Sequence, residues 1–178
     1  MLDELATDGV RHWVAGGWGV AALVGAQSRE HRDLDLAVNA EDLDLCFRTL
    51  EFLGYEQETD WLPVRVEYGA ALRGWVDVHP VAFDDSGHGR QQDLDGGHFD
   101  YPPEAFTVGS VHGRSMPCLS LEQQRFFHSG YELTPRDTHD LEQLAALEER
   151  SVSYDPDRKG TSDLACSCPA ANAPGRDR

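Results

Sequence analysis

Three aspartates carry the chemistry that this sequence predicts most directly. Asp33 and Asp35 are two residues apart in the run "RDLDLAV", and Asp77 stands between valines in "GWVDVHPV". Alternate side chains of a strand share a face, so Asp33 and Asp35 point together while Leu34 and Leu36 point into the core. If the two strands are neighbours, three carboxylates meet and repel one another unless a dication neutralises them. Magnesium suits such a site, because it binds carboxylates together with substrate phosphates.

A glycine pair upstream is suited to bind those phosphates. Gly16 and Gly17 lead from a short apolar strand into a predicted helix. The N–H groups and dipole of a helix N-terminus favour an anion, and glycine lets the backbone approach phosphate closely. Arg29 and His31 precede the first aspartate strand, from where they can contact phosphate oxygens.

The order of these features is more specific than any one of them. A Gly-Gly pair is usually an ordinary turn, and a D-x-D pair in an acidic protein usually lies on the surface. Here a strand, the glycine pair and a helix precede R-x-H-x-D-x-D, and a single aspartate among valines follows roughly forty residues later. The combination predicts a magnesium–nucleotide site.

Two other segments contain residues that can bind metal ions. His139-Asp140, with His128 upstream, is compatible with a metal hydrolase of the HD type. That site needs several more His and Asp ligands on helices, and the predicted helix 135–149 does not supply them, so we expect His139 to pack or form a salt bridge on a helix surface. "DLDGGH" (93–98) lacks the EF-hand pattern and is predicted to be a hairpin turn.

Three more side chains have open assignments. His79 shares the strand face of Asp77 and is predicted to line the acceptor pocket, although an ordinary hydrogen-bonded strand histidine fits equally well. Trp61 and Trp75 have the chemistry to stack on a base or a sugar, and core packing is the expectation for each.

The elements that must position these residues are predicted from hydrophobic periodicity and helix boundaries. The first half of the chain is predicted to hold an N-terminal helix, a strand at 12–15, a helix ending at about Val24 before Gly25, a strand at 34–38, and a helix that Asn39 caps and Gly54 closes. Strands within 62–70 and 72–83 and hairpins within 84–113 follow. Two helices complete the order: one starts with the capping box Ser120–Gln123 and ends at Gly130, and the other runs from Thr134 and Pro135 to about Glu149.

This order predicts an α+β fold. We expect a small mixed β-sheet with helices packed on one side, because the strands are short and the crossovers few. Residues 1–150 form one domain, with a C-terminal helical part at about 120–150, and the Ser-, Pro- and Gly-rich residues 151–178 form a disordered tail.

The net charge of −17 restricts the partners. Residues 151–178 hold four basic and four acidic residues, so the excess lies in residues 1–150. Such a body repels phosphate backbones, and no nucleic-acid partner is expected. A cationic small molecule is attracted instead. The alternative explanation is that the acidic charge only keeps the protein soluble.

The sequence predicts a cytoplasmic protein without a membrane span. No apolar run approaches the roughly 20 residues of a transmembrane helix, and "MLDELATDGV" lacks the apolar core of a signal peptide. Cys46 and Cys118 have apolar neighbours and are predicted to be core residues. Cys166 and Cys168 have no further ligands at zinc-site spacing.

Three segments of the chain resemble a known family: "GGWGVAALVGAQSREHRDLDLAV", "WVDVHPV" and "GYELTPRDTHDLEQL". They are similar to the small antibiotic nucleotidyltransferases, the aminoglycoside 2″- and lincosamide nucleotidyltransferases of the DNA polymerase β-like superfamily. The resemblance covers about residues 12–147. It implies the nucleotidyltransferase fold and transfer of a nucleoside monophosphate, AMP from ATP, to a hydroxyl of an antibiotic, with release of pyrophosphate.

The resemblance also implies roles for the three aspartates. Asp33 and Asp35 would hold two Mg²⁺ ions, and Asp77 would join them or act as the general base. Small members of the family often form homodimers, and the predicted helices are compatible with that.

The same resemblance assigns the nucleotide contacts. Gly16, Gly17 and Trp18 would lie against the phosphates, where the wider superfamily has a Gly-Ser pair and the antibiotic branch also has tryptophan. Relatives often carry a lysine before the aspartate of the late helix. This chain has Arg136 before Asp137, which keeps the charge and changes its shape.

Two alternatives to an antibiotic acceptor remain open at this point. The enzyme could modify a protein or a tRNA, as some toxin–antitoxin members of the superfamily do, and the acidic body disfavours tRNA. The chain could also be a non-catalytic nucleotide-binding partner protein, although all three aspartates are present.

Overall fold

Nine strands and five α-helices make up the part of the chain that the structure describes. The computed structural model describes the backbone of residues 1–153 and the side chains of residues 1–150. The helices are α1 Leu2–Thr7, α2 Gly16–Val24, α3 Leu43–Phe52, α4 Leu121–Phe127 and α5 Pro135–Ser153. The strands are β1 His12–Val14, β2 Asp33–Asn39, β3 Glu56–Trp61, β4 Arg65–Ala70, β5 Gly74–Phe83, β6 Gly89–Gln92, β7 His98–Tyr101, β8 Phe106–Val111 and β9 Arg114–Leu119.

The strands form one mixed sheet, which confirms the predicted α+β class. Its order is β3-β4-β5-β2-β1-β9-β8, and the hairpin of β6 and β7 extends from the end of β5. The pairs β2–β5 and β1–β9 are parallel, and the remaining pairs are antiparallel. The central strands β2 and β5 are therefore direct neighbours.

Helices α1, α2 and α3 cover one face of the sheet. Alternation along β2 turns Leu34, Leu36 and Val38 toward this face, where they join the main apolar core with Leu5 and Leu50. Burying each such aliphatic side chain contributes about 1.5–3 kcal/mol. The other face holds the aspartates and a smaller core, whose buried members are Ala37, Val81, Tyr101, Ala105 and Leu119.

The predicted helix boundaries follow the capping residues. Gly25 ends α2 with a φ of 90°, the left-handed conformation that glycine adopts easily. Asn39 accepts a hydrogen bond from the Glu41 N–H and begins a 3₁₀ turn that leads into α3. Thr134 caps α5, and its own N–H and hydroxyl donate to Asp137.

Three elements differ from the sequence prediction. Helix α4 ends at Phe127, three residues before the predicted end at Gly130. Strand β3, with the sequence "EQETDW", was not predicted, because this edge strand is almost entirely exposed and lacks apolar alternation. Helix α5 continues past the predicted end at Glu149 to Ser153. The rest of the predicted disordered tail, with Cys166 and Cys168, lies outside the described residues.

Two further observations concern the remaining sequence predictions. Within residues 1–153, no helix is long and apolar enough to cross a membrane. Cys46 and Cys118 are buried and form no disulfide, and burial raises the pKa of the Cys46 thiol to about 12 and that of Cys118 to about 11.

Candidate active site

The parallel pairing of β2 and β5 places the predicted carboxylates together. Asp35 lies directly opposite Asp77 in the register, and Asp33 lies opposite Trp75. Ligand atoms of Asp35, Asp77 and His79 all lie within 4.8 Å of one another. Asp33 shares their face of the sheet but is outside this group, and its carboxylate accepts a hydrogen bond of 3.1 Å from Arg32.

Asp77 is the most buried of these acids. Only 5% of the residue is exposed, and its Oδ1 has no hydrogen-bond partner. Its Oδ2 accepts a hydrogen bond from the Arg65 guanidinium. Burial raises the pKa of Asp77 above its usual value, and the charges of His79 and Arg65 oppose that rise only in part.

His79 connects the two carboxylates on the side of the cavity. Its Nε2 lies 3.4 Å from Asp35 Oδ1, and its Nδ1 lies 3.2 Å from the Gln91 amide. Burial lowers the pKa of His79, but the hydrogen bond to Asp35 and the charges of Asp35 and Asp77 outweigh burial and raise it. The donor set of two carboxylates and one imidazole, with the unpaired Asp77 Oδ1, fits a divalent cation.

The glycine pair passes directly over these acids. Gly16 has a φ of 54°, and a Cβ there would overlap the Asp35 carboxylate. A Cβ at Gly17 would overlap the His31 ring and approach the Arg29 guanidinium. A Cβ at Gly16 would therefore displace Asp35, and one at Gly17 would displace the ends of the His31 and Arg29 side chains, so the N-terminus of α2 lies directly against these groups.

Arg29 is held in place by the last helix. Its Nε and Nη2 lie 2.9 and 2.5 Å from the two carboxylate oxygens of Asp140 on α5. Only 2% of the Asp140 side chain is exposed, and His128 Nε2 lies 3.7 Å from it. Burial alone would raise the pKa of Asp140, but the neighbouring His128 and the hydrogen bonds from Arg29 bring it well below its usual range. Arg29, which is predicted to contact phosphate, therefore also forms an ion pair with Asp140 that the sequence did not reveal.

The His31 ring, unlike the Arg29 guanidinium, forms no hydrogen bonds with the described part of the protein. Neither ring nitrogen has a hydrogen-bond partner, and the ring centroid lies 4.7 Å from that of Trp18. Burial, and then the charge of Arg29, lower the pKa of His31 below 6.5. A neutral imidazole with two free nitrogens is available to a ligand at the glycine turn.

These residues line a cavity of about 500 Å³. Of the predicted site residues, it includes Gly16, Gly17, Arg29, His31, Asp33, Asp35, His79 and Arg136. Trp18 and Asp77 are not part of its lining. The Trp18 ring packs against His31, and Asp77 lies opposite Asp35 on the neighbouring strand β5.

Sequence reasoning missed the opposite wall of this cavity. That wall consists of the β6–β7 hairpin, α4 and the loop after it, with Gln91, Phe99, Tyr101, Gln124, Phe127 and Tyr131. Gln124 is fully buried, and neither polar atom of its amide has a partner. Residues 84–113 showed only loop and hairpin signals, so nothing in their spacing connected them to the aspartates.

The structure corrects one expectation and tests two others. Trp61 and Trp75 are not core residues, since 49% and 39% of them are exposed, and each ring packs against an arginine. Residues 93–98 form the predicted hairpin turn between β6 and β7, in which the Asp93 carboxylate accepts backbone N–H groups. His139 lies on the surface of α5 as expected, 3.0 Å from the Ser28 hydroxyl.

The chain is similar to known proteins over most of its length. Residues 1–144 match the sequence model of the family described as aminoglycoside-2''-adenylyltransferase. A lincosamide resistance protein of Staphylococcus haemolyticus is 38% identical over 147 residues, which are 83% of this chain and 91% of that protein.

Two solved structures extend the comparison. The crystal structure of the lincosamide antibiotic adenylyltransferase LnuA with bound lincomycin has a TM-score of 0.75 and 37% sequence identity, covering 82% of this chain and 92% of that one. The crystal structure of ANT(2")-Ia in complex with adenylyl-2"-tobramycin has a TM-score of 0.60 and 19% identity, covering 84% of this chain and 94% of that one. At 19% identity, this likeness shows the fold alone.

Proposed function

Since this chain belongs to the aminoglycoside-2''-adenylyltransferase family and is thus a nucleotidyltransferase, we propose that it transfers AMP from ATP to a hydroxyl of a lincosamide- or aminoglycoside-type antibiotic. The observation that carries this proposal is the pairing of Asp35 with Asp77 beneath the Gly16–Gly17 turn. The lincosamide class is the first candidate, because the lincosamide relative is 38% identical and ANT(2")-Ia 19% identical.

The nucleotide is assigned to the cavity. There the triphosphate meets the free N–H groups of Gly16 and Gly17 at the start of α2. Arg29, His31 and Arg136 line the same cavity and supply donors to phosphate oxygens. The phenyl and phenol rings on the opposite wall provide an apolar surface for the base.

The acids hold the cation that such a reaction requires. Asp33 and Asp35 are the proposed ligands, Asp77 either joins them or acts as the base, and His79 lies next to Asp35 and Asp77. Bound Mg²⁺ supplies charge stabilisation for the attacking and leaving oxygens of an in-line displacement. The relation of Asp33 to this set is a proposal from strand alternation, since its carboxylate is paired with Arg32.

Asp77 is the proposed general base. The acceptor oxygen attacks the α-phosphorus and its proton passes to Asp77, while the bond from the α-phosphorus to the bridging oxygen breaks and pyrophosphate leaves. Burial raises the pKa of Asp77, which makes its carboxylate a better proton acceptor than an exposed one. We propose that the enzyme works in the cytoplasm, where its donor substrate ATP is present.

The experiment incubates the protein with ATP and magnesium and either lincomycin or tobramycin. We expect pyrophosphate release together with a mass gain of one adenylyl group on the drug. Asp77→Asn should reduce turnover about 10²–10⁴-fold and leave nucleotide binding largely in place. Asp33→Asn and Asp35→Asn should abolish turnover with the fold intact.

The matched control is Asp85→Asn, an exposed acid in the turn after β5. It should retain wild-type turnover. Full activity of Asp33→Asn or Asp35→Asn would end the metal-site proposal. If Asp77→Asn abolished ATP–magnesium binding instead of turnover, Asp77 would be a ligand and not the base. Adenylylation of a co-purified protein, with neither drug modified, would favour the protein-acceptor alternative.

A further inference from the structure

A row of hydrogen bonds runs from the β6–β7 hairpin to the carboxylates of the site. The Tyr101 hydroxyl of β7 donates to Gln91 Oε1 of β6 over 2.5 Å. Gln91 Nε2 lies 3.2 Å from His79 Nδ1, and His79 Nε2 lies 3.4 Å from Asp35 Oδ1. The strands β7, β6, β5 and β2 therefore contribute one side chain each to the same row of contacts.

The hairpin holds its two members of this row in a buried position. Only 2% of Tyr101 and 7% of Gln91 are exposed. Tyr101 lies opposite Gly89 in the register, where a Cβ would overlap Val81 and press against Tyr101. The Tyr101 ring also stacks on Phe106, with the ring centroids 5.8 Å apart. A buried amide is costly when its polar atoms are unpaired, and here a hydroxyl and an imidazole pair with them.

The direction of each bond follows from what its groups can donate. Burial raises the pKa of the Tyr101 hydroxyl, so the hydroxyl keeps its proton and donates. Gln91 Oε1 accepts this bond, so the amide nitrogen is the atom next to His79, and an amide nitrogen only donates. In a neutral His79 ring, Nδ1 is then the acceptor and Nε2 carries the proton.

Asp35 receives the last bond of the row. The His79 Nε2–H lies next to Asp35 Oδ1 and is farther from Asp77 Oδ2, with Nε2 at 3.4 Å and 4.0 Å from these oxygens. The second oxygen of Asp35, Oδ2, lies against Gly16, where a Cβ would overlap it. His79 thus holds one oxygen of Asp35, and the other is turned toward the start of α2.

This direction is the reverse of the one that a metal-bound histidine has. A histidine that binds a metal with one nitrogen donates the N–H of its other nitrogen to a carboxylate, a backbone carbonyl or a water. Nδ1 of His79 faces a donor instead, so Nε2 keeps the proton and offers no lone pair to a cation. The carboxylate oxygens remain as ligands, and oxygen is the ligand atom that Mg²⁺ prefers.

We propose that Gln91 is a positioning residue, which acts with Tyr101 to hold His79 as a hydrogen-bond donor to Asp35, so that His79 orients this carboxylate for the cation and is not itself a ligand. This inference rests on the proposed function, because it concerns the cation site of the same reaction. It connects the hairpin wall of the cavity, through three side chains, to the carboxylates on the opposite side.

The first measurement locates the ring proton of His79. Long-range ¹H–¹⁵N spectra of the full chain, labelled with ¹⁵N-histidine, are recorded without metal or nucleotide in alkaline buffer. The His79 signals are those that disappear in His79→Gln. We expect the Nε2–H tautomer in the wild type and a proton on Nδ1 in Gln91→Glu, where a carboxylate replaces the donor. A proton on Nδ1 in the wild type would overturn the inference.

The second measurement is the Mg²⁺ concentration at which pyrophosphate release is half-maximal. Loss of a partner that orients a metal ligand costs about 10–100-fold in metal affinity. We therefore expect a rise of this order in Gln91→Leu and a smaller rise in Tyr101→Phe, which keeps the amide and loses the hydroxyl that orients it. KM for the drug should stay unchanged, because neither residue is assigned to the acceptor.

Two control variants match these changes. Gln92→Leu makes the same substitution at the next residue of β6, which is exposed. Tyr68→Phe removes a buried hydroxyl that contacts Gln57, in the core on the other face of the sheet. Neither should change the Mg²⁺ dependence, and thermal melting establishes that each variant is folded. An unchanged Mg²⁺ dependence in the folded variants Gln91→Leu and Tyr101→Phe would overturn the inference and leave the proposed function intact.

The spectra separate this inference from the proposed function, because they require no turnover. A Nε2–H tautomer in the wild type, with a proton on Nδ1 in Gln91→Glu, supports the role of Gln91 even if neither drug is adenylylated. In that case only the proposed function fails.

Discussion

At the scale of single residues, the site depends on how closely backbone and carboxylates approach. Gly16 lies so near Asp35 that any Cβ would displace the carboxylate. Asp77 is buried and keeps one oxygen without a partner, which is costly unless a ligand completes its environment. These two contacts place the helix N-terminus and the acids at the same point of the sheet.

The substitution Gly16→Ala tests this contact. Displacing a reacting group by about 1 Å can reduce activity about 10²-fold, so we expect a loss of that order in kcat/KM for ATP. The positive φ of 54° adds a loss of about 1–2 kcal/mol in the free energy of unfolding.

Gly25→Ala is the matched control for that experiment. Its φ is 90°, but nothing lies within 4 Å of the added Cβ. It should lose similar stability and keep its kcat/KM, as measured by urea unfolding and pyrophosphate release. Equal loss of activity in both variants would show that strain, and not the overlap with Asp35, is responsible.

At the scale of elements, α5 is attached to the loop before β2 through a buried ion pair. Asp140 of α5 binds Arg29 of that loop and also faces His128 after α4. Three separate parts of the chain therefore meet at one carboxylate, and Arg29 is oriented next to Gly17. The same contact positions α5, which carries Arg136, against the cavity.

This junction makes stability depend on pH. The Asp140 carboxylate, 3.7 Å from His128 Nε2, raises the pKa of His128 above 6.5, although burial opposes it. The hydrogen bond with the backbone carbonyl of Gln124 and the charge of Asp137 act in the same direction as Asp140. The stabilisation by protonated His128 is fully present below 6.5, its value in the unfolded chain, and is lost as the pH rises through the higher folded value.

His128→Asn should therefore lower the free energy of unfolding by about 1.5–3 kcal/mol at about pH 6 and by less at about pH 9. Urea unfolding across this interval measures both values. His112→Asn, an exposed histidine with a positive φ that asparagine tolerates, should follow the wild type. A constant difference between His128→Asn and the wild type at all pH values would contradict this assignment.

At the scale of the whole molecule, the net charge of −17 acts on both substrates. The acidic body attracts a cationic acceptor and repels an anionic nucleotide at long range. Groups close to the bound ATP must then outweigh that repulsion. These groups are the Gly16–Gly17 turn, Arg29 and Arg136, which line the cavity. Salt screens the long-range part and leaves the short contacts largely unchanged.

We therefore expect the acceptor KM to rise a few-fold between about 0.02 M and about 0.3 M NaCl. Over the same range, KM for ATP should fall or stay constant, because the repulsion is screened. Steady-state kinetics with each substrate varied separately measures the two trends. An acceptor KM that is independent of salt, or that falls, would exclude long-range attraction as a contribution to acceptor binding.

Local sequence patterns were sufficient to predict much of this fold. Alternation in "DLDLAV" placed Leu34, Leu36 and Val38 in the core and the aspartates on the other face, and β2 confirms it. Caps at Asn39, Thr134 and Gly25 marked helix ends, because their side chains or backbone angles satisfy the terminal groups within a few residues. Such interactions depend on neighbours in the chain and can be read from one segment.

The remaining features depend on contacts between distant segments, which no local pattern encodes. The sequence alone did not show that Asp140 would bind Arg29, a residue 111 positions earlier. It likewise did not show that the β6–β7 hairpin would form a wall of the cavity, or that Trp61 and Trp75 would stay exposed. The types and alternation of residues determined which side chains could do the chemistry. Only the pairing of strands and the packing of α4 and α5 decided which of them meet, because those contacts arise when the whole sheet forms.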